Sequence, residues 1–579
     1  MRLLLAALVA GAIALPALAQ QQSAAPPLAG GRDSRARRAD SVFAAFDRTD
    51  SPGCALGVYQ NENILYARGY GMANLELGIA NTPRTVFEIG SISKQFTAMS
   101  ILLLQQDGKL SVNDPVRKYI PELPAYADRI TIRHLLSHTS GIRDHFGLQE
   151  IDGVSFDGVQ DTVDYLRLIT RQQALNFEPG TRYLYSNSGY VLLAQIVYRV
   201  SGQPLSRFAA TRIFAPLGMR DTWFQDDHTQ IIPNRATAYM PRGDHFAVRM
   251  SMFDQMAGAA GIHTTVEDFS RWVRNYDEGT IGRAAVEAMS TPMRLNNDSL
   301  AMTGTEAAYG FGINVGTYRG LPMISHTGSW GGYRSAFMRF PKQHIAMATF
   351  CNHSASGPDS LLRRVAGIYL GREMTADPDS AFRVALAGAP RVDAAPGSMA
   401  RLTGVWRNVD RGEVCRTELA GDTLVFPPAA DSGRHTALVP IGGLRFRAGA
   451  GTQVAFEGDS AGAPTRLVVR NGTALPVTFL RTARAEPTTA QLAEYEGSYH
   501  NSEVDVTWLV RVDAGKLVAF RKGRRIGVLT PTYRDGFVED TTVLDFSRDT
   551  RGHVSGFQVE AGRVRHLHFA RTMTAQSAQ

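Results

Sequence analysis

Through the first 370 residues, short apolar runs stand at both ends and helical patterns fill the middle. The opening run is 55–59, a turn follows at Asn61-Glu62-Asn63, and a second strand begins at Ile64. The same unit closes with four strand-like segments, 311–318, 322–326, 334–340 and 344–352. Turns such as Arg319-Gly320 and Lys342-Gln343 separate them, which predicts antiparallel hairpins. Between the two groups, 3.6-residue spacing predicts helices from Ser91 through the Ile101–Leu104 block to Gly108, and over 132–137, 190–200 and 266–276. A last helix over 358–370 has Pro358 near its start and Gly371 past its end. Strands at both ends with helices between predict one sheet built from both chain ends, with a helical insertion.

Beyond Gly371 the pattern changes. Residues 375–398 are rich in Ala, Pro, Asp and Gly and read as a linker. Short alternating strands then dominate, and they repeat. Ala400, Gly404 and Asn408 recur as Ala493, Gly497 and Asn501, and Trp406 falls on Tyr499. Leu424-Val425 recurs as Leu517-Val518, and Phe456 and Val469 recur as Phe546 and Val559. An ordered series with a small drift predicts two small antiparallel β-barrels, over 399–486 and 487–574.

The N-terminus follows a different rule. Arg2 precedes an apolar run from Leu3 to Leu15, then Pro16 and Ala17-Leu18-Ala19. This predicts a signal peptide over 1–19, since the run falls short of the roughly 20 residues a membrane helix needs. Residues 20–40 read as a flexible leader, and 41–374 as the first globular unit. Gln20 rather than Cys follows the cut, so no lipid membrane anchor is expected. The expected location is the periplasm or the medium.

Composition narrows the chemistry. Of 579 residues, 44% are apolar and 20% charged, which excludes general disorder. The net charge of +7 is spread along the chain without a basic block, so no nucleic acid is expected as a partner. Three cysteines without a C-x-x-C pair suggest neither a disulfide scaffold nor zinc. His134 and His138 are four apart, but no Glu follows His134 as a zinc protease requires. Neither metal nor cofactor is expected. Among 61 basic residues only six are lysines, so a lysine at a motif position is informative.

Three motifs carry candidate chemistry. Ser91-Ile92-Ser93-Lys94 opens the first long helix, and three residues place Ser91 and Lys94 on one face. A neutral lysine there can take the serine proton, and free N–H groups can hold an oxyanion. On its own the motif fits a plain N-cap serine equally well. Tyr185-Ser186-Asn187 lies in a Pro/Gly-bounded loop before a helix. His326-Thr327-Gly328-Ser329 ends a closing strand, where Gly328 would let a ligand approach the backbone.

In this order, the motifs resemble those of the penicillin-recognising serine hydrolases: class C β-lactamases, D-alanyl-D-alanine carboxypeptidases, D-aminopeptidases and related esterases. The stretches 87–96, 132–141 and Gly332-Tyr333-Arg334 add to the likeness, which covers about residues 40–371. The resemblance implies an α+β fold, a β-lactamase-type antiparallel sheet with flanking helices. The two-barrel tail resembles the three-domain D-aminopeptidases. The resemblance further implies Ser91 as nucleophile and Lys94 with Tyr185 as the pair that activates it. Asn187 would bind the substrate amide and orient the lysine, and the N–H groups of Ser91 and Ser329 would form the oxyanion hole. His326 departs from the lysine that many β-lactamases and carboxypeptidases carry, and a fixed ammonium suits a substrate carboxylate better than a neutral imidazole. The expected activity is therefore D-aminopeptidase-like, on a small peptide or amide. An ester substrate, β-lactamase activity and a non-catalytic envelope-binding role stand as alternatives, and a homo-oligomer is left open. In the family fold the first and last strands are neighbours, which implies that Cys54 and Cys351 face each other at about 4.5–5.5 Å between Cα atoms. That separation admits either a disulfide or two packed thiols.

Overall fold

The computed structural model describes residues 34–572, apart from 62, 155–159, 251–256, 305, 393–396, 428–434, 459–462 and 473. The predicted signal peptide over 1–19 lies outside the described residues. So does most of the predicted leader, but its end is not a flexible segment: Ser34–Phe43 is a helix, α1. Ala36, Ala39, Val42 and Phe43 are its buried side, a helical spacing in an arginine-rich stretch.

The first unit is an antiparallel sheet of seven strands: β1 (Cys54–Gln60), β2 (Asn63–Tyr70), β3 (Ala307–Tyr309), β4 (Asn314–Tyr318), β5 (Leu321–Trp330), β6 (Tyr333–Phe340) and β7 (Ile345–Cys351). They lie in the order β3-β4-β5-β6-β7-β1-β2, so both chain ends of the unit meet in one sheet. Strand β5 continues through His326 and Ser329 to Trp330, further than the apolar pattern indicated. Side chains alternate across a strand, and here both faces are covered. Ala55 and Tyr59 join the core that holds Phe269, Phe337 and Phe350. Cys54, Leu56 and Val58 join the core that holds Met347, Leu362 and Val365. Double coverage explains why β1 and β7 read as continuous apolar runs rather than as alternation.

Helix α2 (Lys94–Gln106) has its first eleven residues buried. It packs against α4 (Asn187–Ser201), at the centre of the helical insertion, with α3 (His145–Asp152) close by. Helix α5 (Val266–Glu278) starts at Thr265, whose hydroxyl accepts from Asp268 N at 2.9 Å. It lies on one face of the sheet, and α6 (Pro358–Leu370) lies on the other beside α1. The predicted linker is partly ordered: α7 (Pro378–Gly388) has Asp377 as N-cap and Pro378 at its first position.

Two closed barrels of eight strands follow, from Gly404–Asn408 to Val477–Thr482 and from Gly497–Asn501 to Val564–Thr572. The repeated residues hold the same places in each. Trp406 and Tyr499 are fully buried in the first strand. Asn408 Nδ2 donates to Thr478 O at 2.9 Å and Asn501 Nδ2 to His568 O at 2.7 Å, so both asparagines tie first strand to last. Among the described residues no helix is long and apolar enough to cross a membrane.

The second barrel is anchored to the insertion by a buried ion pair. Arg143 is fully buried, and its guanidinium donates to Glu503 at 2.6 Å, Gln172 at 3.0 Å, and the carbonyls of Arg565 and His566 at 2.9 Å each. A buried arginine is tolerated when each donor has an acceptor. Here most of the acceptors come from the barrel.

Cys54 and Cys351 are register partners on β1 and β7 and are joined as a disulfide, with Cα atoms 3.9 Å apart. That is closer than the expected spacing of facing strands. Cys415 is a free thiol in the first barrel, and burial pushes its pKa up to about 12. Thiol titration of the denatured, unreduced protein should find one reactive thiol, rising to three after reduction. Reduction should cost about 2–4 kcal/mol of stability, read from urea unfolding.

Candidate active site

The site lies where β5 passes the start of α2. Glu88 is buried, and its Oε1 accepts from Gly90 N at 3.2 Å and Gly261 N at 3.0 Å. Gly90 turns the chain with a φ of +53°, a value that glycine adopts without strain. Ser91 follows within a 3-10 turn over Gly90–Ser93, so the α-helix proper starts at Lys94 rather than at the serine.

Lys94 is completely buried. Its Nζ lies 3.1 Å from Ser91 Oγ, 2.9 Å from Asn187 Oδ1 and 2.7 Å from the carbonyl of Ala259. Burial pushes its pKa well below the usual lysine range, Asp144 draws it back and Arg563 lowers it further. A neutral amine here donates to Asn187 and Ala259 and turns its lone pair toward the Ser91 hydroxyl. That is the geometry of a base poised on a nucleophile.

Asn187 opens α4, and its amide is fixed from behind. Asp144 Oδ2 accepts from Asn187 N at 2.7 Å and from its Nδ2 at 3.0 Å, which turns Oδ1 toward the lysine. Tyr185 lies in the loop just before. Its buried hydroxyl faces Ser91 without a well-formed hydrogen bond. Burial raises its pKa, and Ser91 and Arg563 pull it down. The tyrosine ring packs on His138 at 4.1 Å between centroids. His138 Nδ1 accepts from Ser186 N at 3.2 Å, which fixes the turn that carries Tyr185.

The third motif is at the same place, and its residues are tied into the fold as well as lining the cleft. His326 is buried. Its Nδ1 lies 2.6 Å from the Thr327 carbonyl, so Nδ1 carries the proton, and Nε2 accepts from the Tyr309 hydroxyl at 3.0 Å. Burial, with Lys94 nearby, pushes its pKa down to about 4. The ring is a neutral brace for β5. Gly328 admits protein backbone: a Cβ there would stand 1.9 Å from the carbonyl of Ile89. The glycine lets β5 run against the 89–91 turn, and it brings Ser329 on the same strand beside Ser91.

Ser91, Tyr185, Asn187, His326, Gly328 and Ser329 all line one cleft of about 1180 Å³, and Lys94 lies beneath it. All seven residues that the sequence singled out are thus brought together. It missed Asp144, His138, Tyr309 and Arg563. Asp144 and His138 flank the quoted 132–141 stretch or fall inside it, and His138 was weighed only as a metal ligand. Arg563 carries no local signal. It sits on a hairpin of the second barrel, with its guanidinium 4.7 Å from the Tyr185 ring centroid. No group of three metal-ligating side chains that could hold an ion occurs among the described residues.

A sheet with a helical insertion and a Ser/Lys/Tyr/Asn cluster at their junction defines the class. Residues 39–370 match the Beta-lactamase family model. The chain belongs to that family, which is one of serine hydrolases. Penicillin-binding protein 4* of Bacillus subtilis (strain 168) is 31% identical over 48% of this chain and 63% of its own. D-aminopeptidases of Gluconobacter oxydans (strain 621H) and Brucella ovis are 27% and 28% identical, over 56% and 64% of this chain and 60% and 66% of theirs. The chain thus spans a little under two thirds of the length of these relatives. The octameric penicillin-binding protein homologue from Pyrococcus abyssi shares the fold, with a TM-score of 0.54 at 19% identity over 84% of this chain and 97% of that one. D-amino acid amidase from Ochrobactrum anthropi SV3 does so with a TM-score of 0.51 at 22% identity, over 59% of this chain and the whole of that one.

Two results should follow. Gly328→Ala should drive β5 off the 89–91 turn and lower kcat/KM by roughly 100-fold or more, with the circular dichroism spectrum kept. The second concerns acid. Burial holds His145 and His326 at about 4 and His263 at about 3. Their folded pKa values lie below the unfolded value of about 6.5, so the unfolded chain binds protons first as pH falls. The thermal midpoint should hold above about pH 6.5 and drop steadily toward pH 4, and His145→Gln should flatten part of that drop.

Proposed function

We propose that this protein is a hydrolase that acts through a Ser91 acyl-enzyme on short peptides or amides, in the manner of a D-aminopeptidase. The observation that carries the reading is the buried Lys94 amine 3.1 Å from Ser91 Oγ, with no water-facing side. Ser91 Oγ attacks the carbonyl carbon, and its proton passes to Lys94 Nζ. The oxyanion is held by the N–H groups of Ser91 and Ser329, and Asn187 receives the substrate amide. Collapse expels the amine, which takes a proton delivered through the Tyr185 hydroxyl. Water then attacks the acyl-serine, gives its proton to the Tyr185–Lys94 pair, and frees the acid. The relatives named as D-aminopeptidases support an amide substrate with a D-residue.

The protein works outside the cytoplasm under this proposal. The Cys54–Cys351 disulfide supports it, since such bonds persist in oxidising compartments. The apolar run ending at Ala17-Leu18-Ala19 supports it independently.

The test is a panel of D-aminoacyl p-nitroanilides, short-chain p-nitrophenyl esters and nitrocefin. The D-aminoacyl substrates should turn over with the highest kcat/KM, and Ser91→Ala should lower kcat by about 1,000-fold or more. Preferred turnover of the esters or of nitrocefin would overturn the substrate class. Full activity of Ser91→Ala would overturn the mechanism.

A further inference from the structure

The motif position that carries a lysine in many relatives holds a neutral histidine here, yet the cleft is not without fixed positive charge. Arg249, Arg334 and Arg563 line it, against the carboxylates of Glu150 and Asp359. Asp359 is already bound to Arg363 at 2.8 Å. Arg334 turns its Nη1 back onto the carbonyls of Gly331 and Tyr333, at 3.0 and 2.6 Å. Arg563 is different. Its ion contact to Asp144 is long, 3.8 Å, and both oxygens of Asp144 already accept from other groups. Its side chain is 46% exposed, and it lines the cleft. Glu150, on the same wall, lies within its field.

The hairpin that carries Arg563 is held firmly while the guanidinium is left to the cleft. The Arg563 carbonyl accepts from Asn176 Nδ2 at 2.9 Å and Asp144 N at 3.4 Å, and Arg565 N donates to Asn176 Oδ1 at 2.8 Å. The Arg143 guanidinium closes on the carbonyls of Arg565 and His566. A fixed backbone with a partly solvated guanidinium over the Tyr185 ring, in the cleft that Ser91 lines, is a preorganised anion receptor, and guanidinium matches a carboxylate with two parallel donors.

We propose that Arg563 binds a free carboxylate of the substrate, so that the cleft selects short peptides with an ionised C-terminus over their amides. The second barrel, not the third motif, supplies the charge that recognises this group. The proposal rests on reading the cleft as the acyl-transfer site. It predicts a substrate class that the neutral His326 alone argues against.

The experiment measures binding and so does not require turnover. In full-length Ser91→Ala protein, calorimetry compares D-Ala-D-Ala with its C-terminal amide. The dipeptide should bind about tenfold tighter or more. Adding Arg563→Gln should shrink the gap to within about threefold, and Arg563→Lys should keep part of it. Without any substitution at 563, raising the salt from about 50 to 500 mM should weaken the dipeptide and leave the amide unchanged. A gap that survives Arg563→Gln, equal binding of the two ligands, or no detectable binding of the dipeptide overturns the proposal. These outcomes are separate from the failure of the hydrolase reading, which shows as activity in Ser91→Ala.

Discussion

The structure turns on one desolvated amine. Lys94 is buried with three oxygens around its Nζ and, among the described residues, no carboxylate in direct contact. Burying an ammonium without a paired anion is costly, so burial favours the neutral form, which is the form a base needs. Asp144 is near enough to oppose this, but burial is the larger effect. Asp144 Oδ2 accepts from the Asn187 backbone and side chain, and its field on the lysine is outweighed by burial. The same bonds give Asn187 its orientation. A single carboxylate therefore sets the direction of one side chain, while burial sets the protonation of the other.

The fold serves this arrangement from three directions. Strand β5 brings Ser329 to the serine because Gly328 lets two backbones touch. The neutral His326 and Tyr309 brace that strand with a hydrogen bond of 3.0 Å and add no charge beside Lys94 beyond their own dipoles. The second barrel adds the third wall through the hairpin that holds Arg563. The hairpin is tied to the insertion by the Arg143–Glu503 pair and the carbonyls of Arg565 and His566. The tail is thus continuous with the site, rather than an appendage on a flexible tether.

The amino-acid sequence shows some of this and hides the rest for physical reasons. The two strand groups and the main helices are legible because burial on defined faces imposes a period on Leu, Ile, Val and Phe. The barrels are legible through repeated positions such as Trp406/Tyr499 and Asn408/Asn501, each of which repeats because it does the same work twice. Helix α7 hides in a stretch read as linker, although Asp377-Pro378 is a start signal, because its composition is rich in Ala and Asp and only Leu386 is buried. Helix α1 hides behind its arginines. The roles of His326 and Gly328 could not be read from spacing, since both depend on what lies across the strand: a tyrosine 17 residues away and the carbonyl of Ile89. Arg563 is the extreme case. It reaches a tyrosine 378 residues earlier in the chain, and only closure of the second barrel and its docking bring the two together.

The central claim is that Lys94 is uncharged at neutral pH, and the scarcity of lysines makes it directly measurable. The full-length protein labelled with 13C and 15N at the lysine side-chain termini carries six such groups. The Lys94 resonance is assigned by its loss in Lys94→Ala, and its shift is followed from about pH 5 to 11. The account predicts a titration well below the ordinary lysine value of about 10.4. A Lys94 resonance that titrates at or above that ordinary value would contradict it.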